Sequence, residues 1–159
     1  MARAVPASRD SLGSWPSFLR AHSAITRQLN ADLLAAHGLT LNDYEVLLRL
    51  AHADDGMMRR VDLAESVVLT ASGITRLLDG LERAALVEKA SCSADARVSY
   101  AKLTDAGRRR FEAASATHLS GIDELFTSRF SDAELESLAQ LLSRLPLTGK
   151  ECGSDRDCG

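Results

Sequence analysis

Polar side chains recur on one side of a predicted helix in the segment 71–84, and their types suit hydrogen bonding to another polar molecule. They stand three or four positions apart: Ser72, Thr75, Arg76 and Asp79. The apolar positions between them would face a core: Ile74, Leu77, Leu78 and Leu81. Hydroxyl groups bind base edges or phosphates, and a guanidinium binds guanine through two hydrogen bonds. The segment is therefore a candidate recognition helix for DNA.

The same residues also allow plainer interpretations. Thr70 or Ser72 could cap the start of this helix, because hydroxyl side chains accept hydrogen bonds from unpaired backbone N–H groups there. Thr75 could simply face solvent. Arg76 could pair with Asp79, which stands three positions later on the same side.

A predicted β-hairpin follows the helix. Two segments rich in β-forming residues, 86–89 and 98–103, are separated by the polar stretch 90–97. Arg97 at the tip of the hairpin would have no core to pack against. The negative potential of a narrow minor groove favours the binding of an arginine side chain in that groove. Asp95 cannot itself favour phosphate, so we expect it to orient Arg97 or a nearby basic side chain. One helix in the major groove and one arginine in an adjacent minor groove is a known docking arrangement.

Basic residues flank these two elements. Lys89 and Lys102 on the hairpin, with Arg59 or Arg60 before the helix, would bind phosphates and add salt-dependent affinity without specificity. The net charge of the whole chain is −3, but residues 56–112 carry +2 and residues 113–159 carry −4. A local basic surface matters more for phosphate binding than the total. The alternative is that the +2 charge of residues 56–112 is ordinary scatter of surface charge, and that each of these basic residues is simply exposed to solvent.

Hydrophobic periodicity predicts helices on both sides of this unit. Gly38 would end the first helix, and Thr40 and Thr104 would begin later ones. Ser131 and Glu134 form the pattern of a capping box. The expected helices span 15–37, 40–53, 60–67, 71–84, 104–130 and 131–145.

Composition bounds the class of protein. A chain of 159 residues that is 45% apolar and 26% charged fits one ordinary folded domain. No apolar run reaches the roughly 20 residues of a membrane span, and no signal-peptide pattern opens the chain. We therefore expect a cytoplasmic protein with no membrane partner.

Metal, cofactor and catalytic signatures are missing from the sequence. The three cysteines, Cys92, Cys152 and Cys158, lack zinc-site spacing, as do the four histidines. There is no phosphate-cradling glycine loop and no nucleophile elbow. We therefore expect no cofactor, no metal and no enzymatic activity.

The block LTASGITRLLDGLERAALVEK, the Asp95-x-Arg97 tip and Leu103-Thr104-x-x-Gly107 together resemble the multiple antibiotic resistance regulator (MarR) family. The resemblance implies a mainly α (α+β) fold over 14–146. A winged helix-turn-helix with a two-stranded β-wing would occupy about 40–103, and dimerisation helices 15–37 and 104–146. A disordered lead-in (1–13) and a mobile tail (147–159) would flank them. The implied function is a homodimeric repressor bound to a palindromic operator in double-stranded DNA.

The chain departs from the family pattern at three positions. Ala85 stands where glycine is common, and Ala96 and Val98 replace a basic residue and a glycine beside Arg97. The wing is therefore expected to be stiffer and less positive than usual. We expect the recognition helix, with Arg76, to contribute more affinity than the wing.

Dimerisation and an effector are further expectations. The first helix and the last two carry long apolar stripes with too few partners in one chain, which favours pairing across a twofold axis over a monomeric bundle. Regulators resembling this one often bind small phenolic or other anionic effectors between the dimer helices and the DNA lobes. Trp15, His22, Tyr44 and Arg49 would line such a site, although Trp15 and His22 could instead be core residues.

Two alternatives stay open. Cys92 on the hairpin stands near Lys89 and Arg97, cations that favour a reactive thiolate, so the regulator could be switched by oxidation. The acidic balance and the less basic wing would also allow a dimeric interaction module without DNA binding.

Overall fold

The structure, a computed structural model, describes residues 13–67, 71–92 and 95–145. The expected lead-in (except its last residue), the expected tail and Thr70 lie outside these ranges. The helices of the described residues are α1 (Ser14–His37), α2 (Leu41–His52), α3 (Arg60–Ser66), α4 (Ala71–Arg83), α5 (Asp105–Leu125) and α6 (Asp132–Leu142). Their strands are β1 (Met57–Arg59), β2 (Val87–Cys92) and β3 (Asp95–Leu103). None of these helices is long and apolar enough to cross a membrane.

Local capping signals set where the helices begin and end. α1 ends at Gly38, whose left-handed backbone (φ 65°) lets its N–H donate to the Leu34 carbonyl. Thr40 begins α2 through a capping box with Asp43, and Thr104 begins α5 by accepting from the Gly107 N–H. The predicted starts at Thr40 and Thr104 are confirmed.

The C-terminal helices follow the prediction less closely. α5 stops at Leu125, not near Phe130 as predicted, because Phe126 leaves the helical backbone (φ −135°) before a 3₁₀ turn at Thr127–Arg129. The capping box of α6 is confirmed: Glu134 accepts from both the backbone N–H and the hydroxyl of Ser131. These hydrogen bonds, the backbone one first, lower the pKa of Glu134.

The sheet is antiparallel, with strand order β1-β3-β2. The predicted hairpin is confirmed, with Val87 opposite Leu103 and Ser91 opposite Ser99. Its strands extend further toward the tip than expected. The third strand, β1, was not predicted, because three residues are too few to show alternation.

The core lies between α2, α3, α4 and the sheet, and extends along α5. Its fully buried side chains are Leu33, Val46, Leu47, Leu50, Leu63, Leu78 and Val87. Three of the four apolar positions predicted for α4 are buried, and Leu77 is half-buried. By contrast, α6 buries none of its residues. One end of the molecule is thus well packed while the other leaves apolar side chains uncovered.

Candidate DNA-binding surface

The polar side of α4 faces solvent because the opposite side packs into the core. Ile74, Leu78 and Leu81 are buried, whereas Ser72, Thr75 and Arg76 are exposed. A shallow, open depression of about 770 Å³ lies on this side, lined by Arg76, Asp79, Glu82 and Arg83. A helix that is anchored on one side and presents hydroxyls and guanidinium groups on the other can enter a major groove.

Arg76 has no ion pair with any described residue, unlike most other cations of this surface. The alternative pairing with Asp79 does not form, and the Asp79 carboxylate lies 3.9 Å from the Arg60 guanidinium instead. Arg83 is held differently, with its Nε donating to the Asp79 carbonyl at 3.1 Å. The Arg76 guanidinium therefore remains available for an external acceptor.

The lysines of the hairpin are paired with carboxylates. Lys89 Nζ lies 3.5 Å from Glu82, and Lys102 Nζ lies 3.6 Å from Glu88, its opposite residue across β2 and β3. The backbone of Asp95 and Arg97 belongs to β3, but their side chains, like that of Cys92, lie outside the described part of the structure. Each lysine would have to leave its carboxylate, at least in part, to bind a phosphate.

Arg60, Glu82 and Lys89 form one connected ion-pair cluster. Arg60 NH1 donates to Glu82 Oε1 at 3.1 Å, and the other carboxylate oxygen of Glu82 faces Lys89. The side chains of Arg60 and Glu82 are only 15% and 18% exposed. Arg60, considered from sequence as a phosphate contact, instead joins α3 to α4. Sequence reasoning missed Glu82, although a carboxylate on the polar side of a candidate DNA helix was the available signal.

The turn after α4 sets the position of the wing, which we define as β2, β3 and their connection. The Leu86 N–H donates to the Leu81 carbonyl and the Ala85 N–H to the Glu82 carbonyl, the two bonds of a Schellman motif. Ala85 adopts a left-handed backbone (φ 55°), the conformation that favours glycine. The family's usual glycine at this position thus has a local physical reason.

Residues 103–107 lock the other end of the wing. The Thr104 hydroxyl donates to the Ala85 carbonyl at 2.8 Å, and the Thr104 N–H donates to the Leu86 carbonyl at 3.1 Å. A Cβ on Gly107 would lie 2.0 Å from that carbonyl oxygen, so only glycine fits there. The Leu-Thr-x-x-Gly motif therefore fastens α5 to the start of β2.

The four candidate effector residues fall into two separate groups. Trp15 and His22 lie on α1, and both rings stack on Phe18, with centroids 6.3 and 6.4 Å from it. Tyr44 is buried, and its ring contacts His118 on α5 at 4.4 Å. Its hydroxyl lies 3.3 Å from the Ser115 hydroxyl. Among the described residues, Trp15 and His22 thus have ring contacts within α1, whereas Tyr44 on α2 contacts α5. Arg49 also lies on α2.

Two buried side-chain nitrogen atoms lack a hydrogen-bond partner among the described residues: Arg49 Nε on α2 and His118 Nδ1 on α5. Burial lowers the pKa of His118, and the charge of Glu45 partly opposes this shift. The candidate effector residues named from the sequence did not include His118. We define Tyr44 and His118, whose rings meet where α2 contacts α5, as the interlobe cluster.

Comparison with known proteins gives consistent similarities. The MarR family model matches residues 37–98. The HTH-type transcriptional regulator MhqR of Bacillus subtilis (strain 168) is 28% identical over 132 residues, 83% of this chain and 88% of the relative. The crystal structure of AbsC, a MarR family transcriptional regulator from Streptomyces coelicolor, has a TM-score of 0.81 and 27% identity, covering 90% of this chain and 95% of that one. A mutant MarR from E. coli complexed with operator DNA has a TM-score of 0.72 and 25% identity, covering 82% and 92%.

Proposed function

The chain belongs to the MarR family of winged helix-turn-helix transcriptional regulators, and on this basis we propose that it is a homodimeric repressor that binds a palindromic operator through α4 and the wing. The observation that carries this proposal is Arg76, an exposed guanidinium on the polar side of a helix whose other side is buried. The similar E. coli protein is complexed with operator DNA. Because a repressor must reach DNA, we place the protein in the cytoplasm. We propose no enzymatic activity for it.

Pairing of two chains follows from uncovered apolar side chains on the helices outside the DNA-binding lobe. Trp15, Leu119 and Leu141 are 61%, 62% and 54% exposed. Phe18, Leu19, Phe130 and Leu145 are also exposed. Burying them against a second copy removes apolar area from water. A twofold axis through these helices would present two copies of α4 to successive half-sites.

The DNA-binding proposal is tested with duplexes selected from a random library and with the DNA upstream of the chain's own gene. Fluorescence anisotropy would measure Kd for a selected duplex and for its scrambled counterpart over a range of salt concentrations. We expect the selected duplex to bind at least about a thousandfold more tightly, with affinity falling steeply as salt rises. Failure to bind either duplex at low salt would contradict the proposal and favour an interaction module.

An effector site at the interlobe cluster is the regulatory part of the proposal. It is supported by His118 Nδ1, a buried nitrogen without a hydrogen-bond partner among the described residues, on the ring that contacts Tyr44. Arg49 on α2 carries a second such nitrogen, Nε. A small anionic or phenolic molecule could accept hydrogen bonds from such groups and stack on the ring. Because α2 and α5 both contribute, a bound molecule could alter how the DNA lobe sits on the dimer helices.

This effector site is tested with phenolic carboxylates such as salicylate. We expect addition of an active compound to weaken operator binding by the wild-type protein, and Arg49→Gln to reduce that response at least about tenfold. Trp15→Phe serves as the matched comparison, because Trp15 contacts only Phe18 among the ring contacts of the described residues. If Arg49→Gln responded like the wild type and Trp15→Phe lost the response, the effector would instead bind near Trp15 at the start of α1.

A further inference from the structure

We propose that Glu82 is a positioning residue for operator recognition, which holds α3, α4 and the wing in the mutual orientation that fits one half-site. The inference rests on the proposed function, since it concerns how the DNA-binding surface is shaped before DNA arrives. Glu82 would not contact DNA itself. Its role would be to fix where Arg76 and the wing stand relative to each other.

The two oxygens of the Glu82 carboxylate are divided between two other elements. Oε1 accepts a hydrogen bond from Arg60 NH1 at 3.1 Å, and Oε2 lies 3.5 Å from Lys89 Nζ. Arg60 is the first residue of α3, Glu82 is in the last turn of α4, and Lys89 is in β2. One side chain therefore connects the two helices of the helix-turn-helix to the wing.

Burial makes the Arg60–Glu82 contact more than an ordinary surface pair. With 15% and 18% exposure, both groups have lost most of their hydration. Each is compensated mainly by the other, because Asp79 lies farther from Arg60, at 3.9 Å, and Lys89 is 64% exposed. Charge-assisted hydrogen bonds are also shorter and stronger than neutral ones. Removing one partner leaves a charge poorly compensated, so the orientation of α3 against α4 should change with it.

The Arg60–Asp79 contact also joins α3 to α4, but at 3.9 Å it is longer and it does not reach the wing. Two further ion pairs are more exposed than Arg60 and Glu82. Arg59 and Asp62 are three positions apart, with 47% and 39% exposure. Lys102 and Glu88 face each other within the hairpin, with 46% and 56% exposure. Glu88 is therefore a matched control: it carries the same charge, it lies on the same lobe and it pairs with a lysine, but it connects only the two strands of the wing.

Positioning and simple electrostatics predict opposite effects for the same change. A carboxylate near the phosphates repels DNA, so replacing it by an amide should tighten binding to any duplex if charge is all that matters. If Glu82 positions the elements, Glu82→Gln should weaken binding to the operator while leaving or strengthening binding to a scrambled duplex. The informative quantity is thus the ratio of operator affinity to scrambled-duplex affinity.

The experiment measures both Kd values by anisotropy for the wild-type dimer, Glu82→Gln and Glu88→Gln, at a temperature where circular dichroism shows each variant folded. We expect Glu82→Gln to lower the ratio by about tenfold, the size expected for loss of a hydrogen bond between charged groups. Glu88→Gln should change the ratio less than about twofold, because its charge effect acts on both duplexes equally. A ratio in Glu82→Gln at or above that of the wild type would overturn the inference.

A second variant separates folding from positioning. Glu82→Asp keeps the charge but is one methylene shorter, so it cannot reach Arg60 and Lys89 together. We expect a lower ratio with an unchanged salt dependence, whereas a wild-type ratio would overturn the inference even if Glu82→Gln does not fold. If the wild-type protein itself shows no preference for an operator, the proposed function fails instead, which distinguishes the two failures.

Discussion

Arg76 and Lys89 illustrate two ways in which a cation can be prepared for DNA. Lys89 is already compensated by Glu82, so binding a phosphate exchanges one anion for another and gains little. Arg76 has no ion pair among the described residues and gives up no such partner. At equal distance from DNA, a new hydrogen bond should therefore add more affinity at Arg76 than at Lys89.

Replacing Arg76 by alanine is expected to weaken operator binding by about 1–3 kcal/mol and to relax specificity at the base it contacts. Arg97→Ala is expected to have the smaller effect, because Ala96 and Val98 leave that arginine without the usual basic neighbour. Anisotropy titrations against a set of single-base operator variants would measure both. The control is Arg144→Ala, an exposed arginine beyond α6 that removes the same charge. A larger loss in Arg97→Ala would reverse the ranking.

His118 is expected to make stability depend on pH. Burial lowers its pKa below the ordinary value of 6.5, so the folded protein keeps it neutral where the unfolded chain begins to bind a proton. As the pH falls below about 6.5 the unfolded state binds more protons, and the free energy of unfolding decreases. His118→Phe, which keeps a ring against Tyr44, should therefore lose less Tm between about pH 7.5 and about pH 5.5 than the wild type.

The matched control is Tyr44→Phe, which keeps His118 and the ring against it and should retain the wild-type loss of Tm on acidification. If His118→Phe retained the full wild-type loss of Tm on acidification, another group would be responsible for it.

At the scale of elements, the turn between α4 and β2 carries local strain. Ala85 occupies a left-handed conformation, which costs an L-residue about 1–2 kcal/mol relative to glycine, although glycine loses more entropy on folding. We expect Ala85→Gly to stabilise the protein by about 0.5–1 kcal/mol and to raise its Tm by roughly 1–4 °C. Thermal unfolding followed by circular dichroism would measure the change.

Gly107→Ala provides the opposite case in the same region. Its added methyl group would overlap the Leu86 carbonyl oxygen, so the Tm should fall sharply.

The prediction for Ala85 would be contradicted by a lower Tm in Ala85→Gly, which would show that the left-handed conformation is not strained in this turn.

Elements defined by local chemistry were predictable from the sequence, whereas contacts between elements were not. Thr40, Thr104 and Ser131 mark helix starts because a cap is satisfied within three residues. The α4 surface follows from its apolar period. The partner of Asp79 was not predictable, because the nearby Arg76 and the distant Arg60 are both chemically suitable and only the packing of α3 against α4 selects Arg60. The interlobe cluster likewise depends on how α5 crosses α2.

At the scale of the whole molecule, α5 packs against both α1 and α2 and makes polar contacts with each. The Arg110 side chain donates to the His37 carbonyl at 2.6 Å, and the His37 ring lies 2.8 Å from the Thr117 hydroxyl. These bonds fix the end of α1 on α5, while Tyr44 and Ser115 connect α5 to α2. Because α2 contacts α4, a change in how two copies pair along α1, α5 and α6 would be transmitted to α4 through α5 and α2.

Dimerisation is therefore expected to be a condition for tight operator binding. Leu141 is 54% exposed on α6, and placing a carboxylate there would bury an uncompensated charge in the proposed interface. We expect Leu141→Glu to raise the dimer dissociation constant at least about tenfold in sedimentation equilibrium and to weaken operator binding in parallel. Val61→Glu is the matched control for the oligomeric state, because Val61 is 65% exposed but lies on α3. A wild-type protein that sediments only as a monomer at micromolar concentration would contradict the dimer. The exposed apolar side chains of α1 and α6 would then not be buried by a second copy.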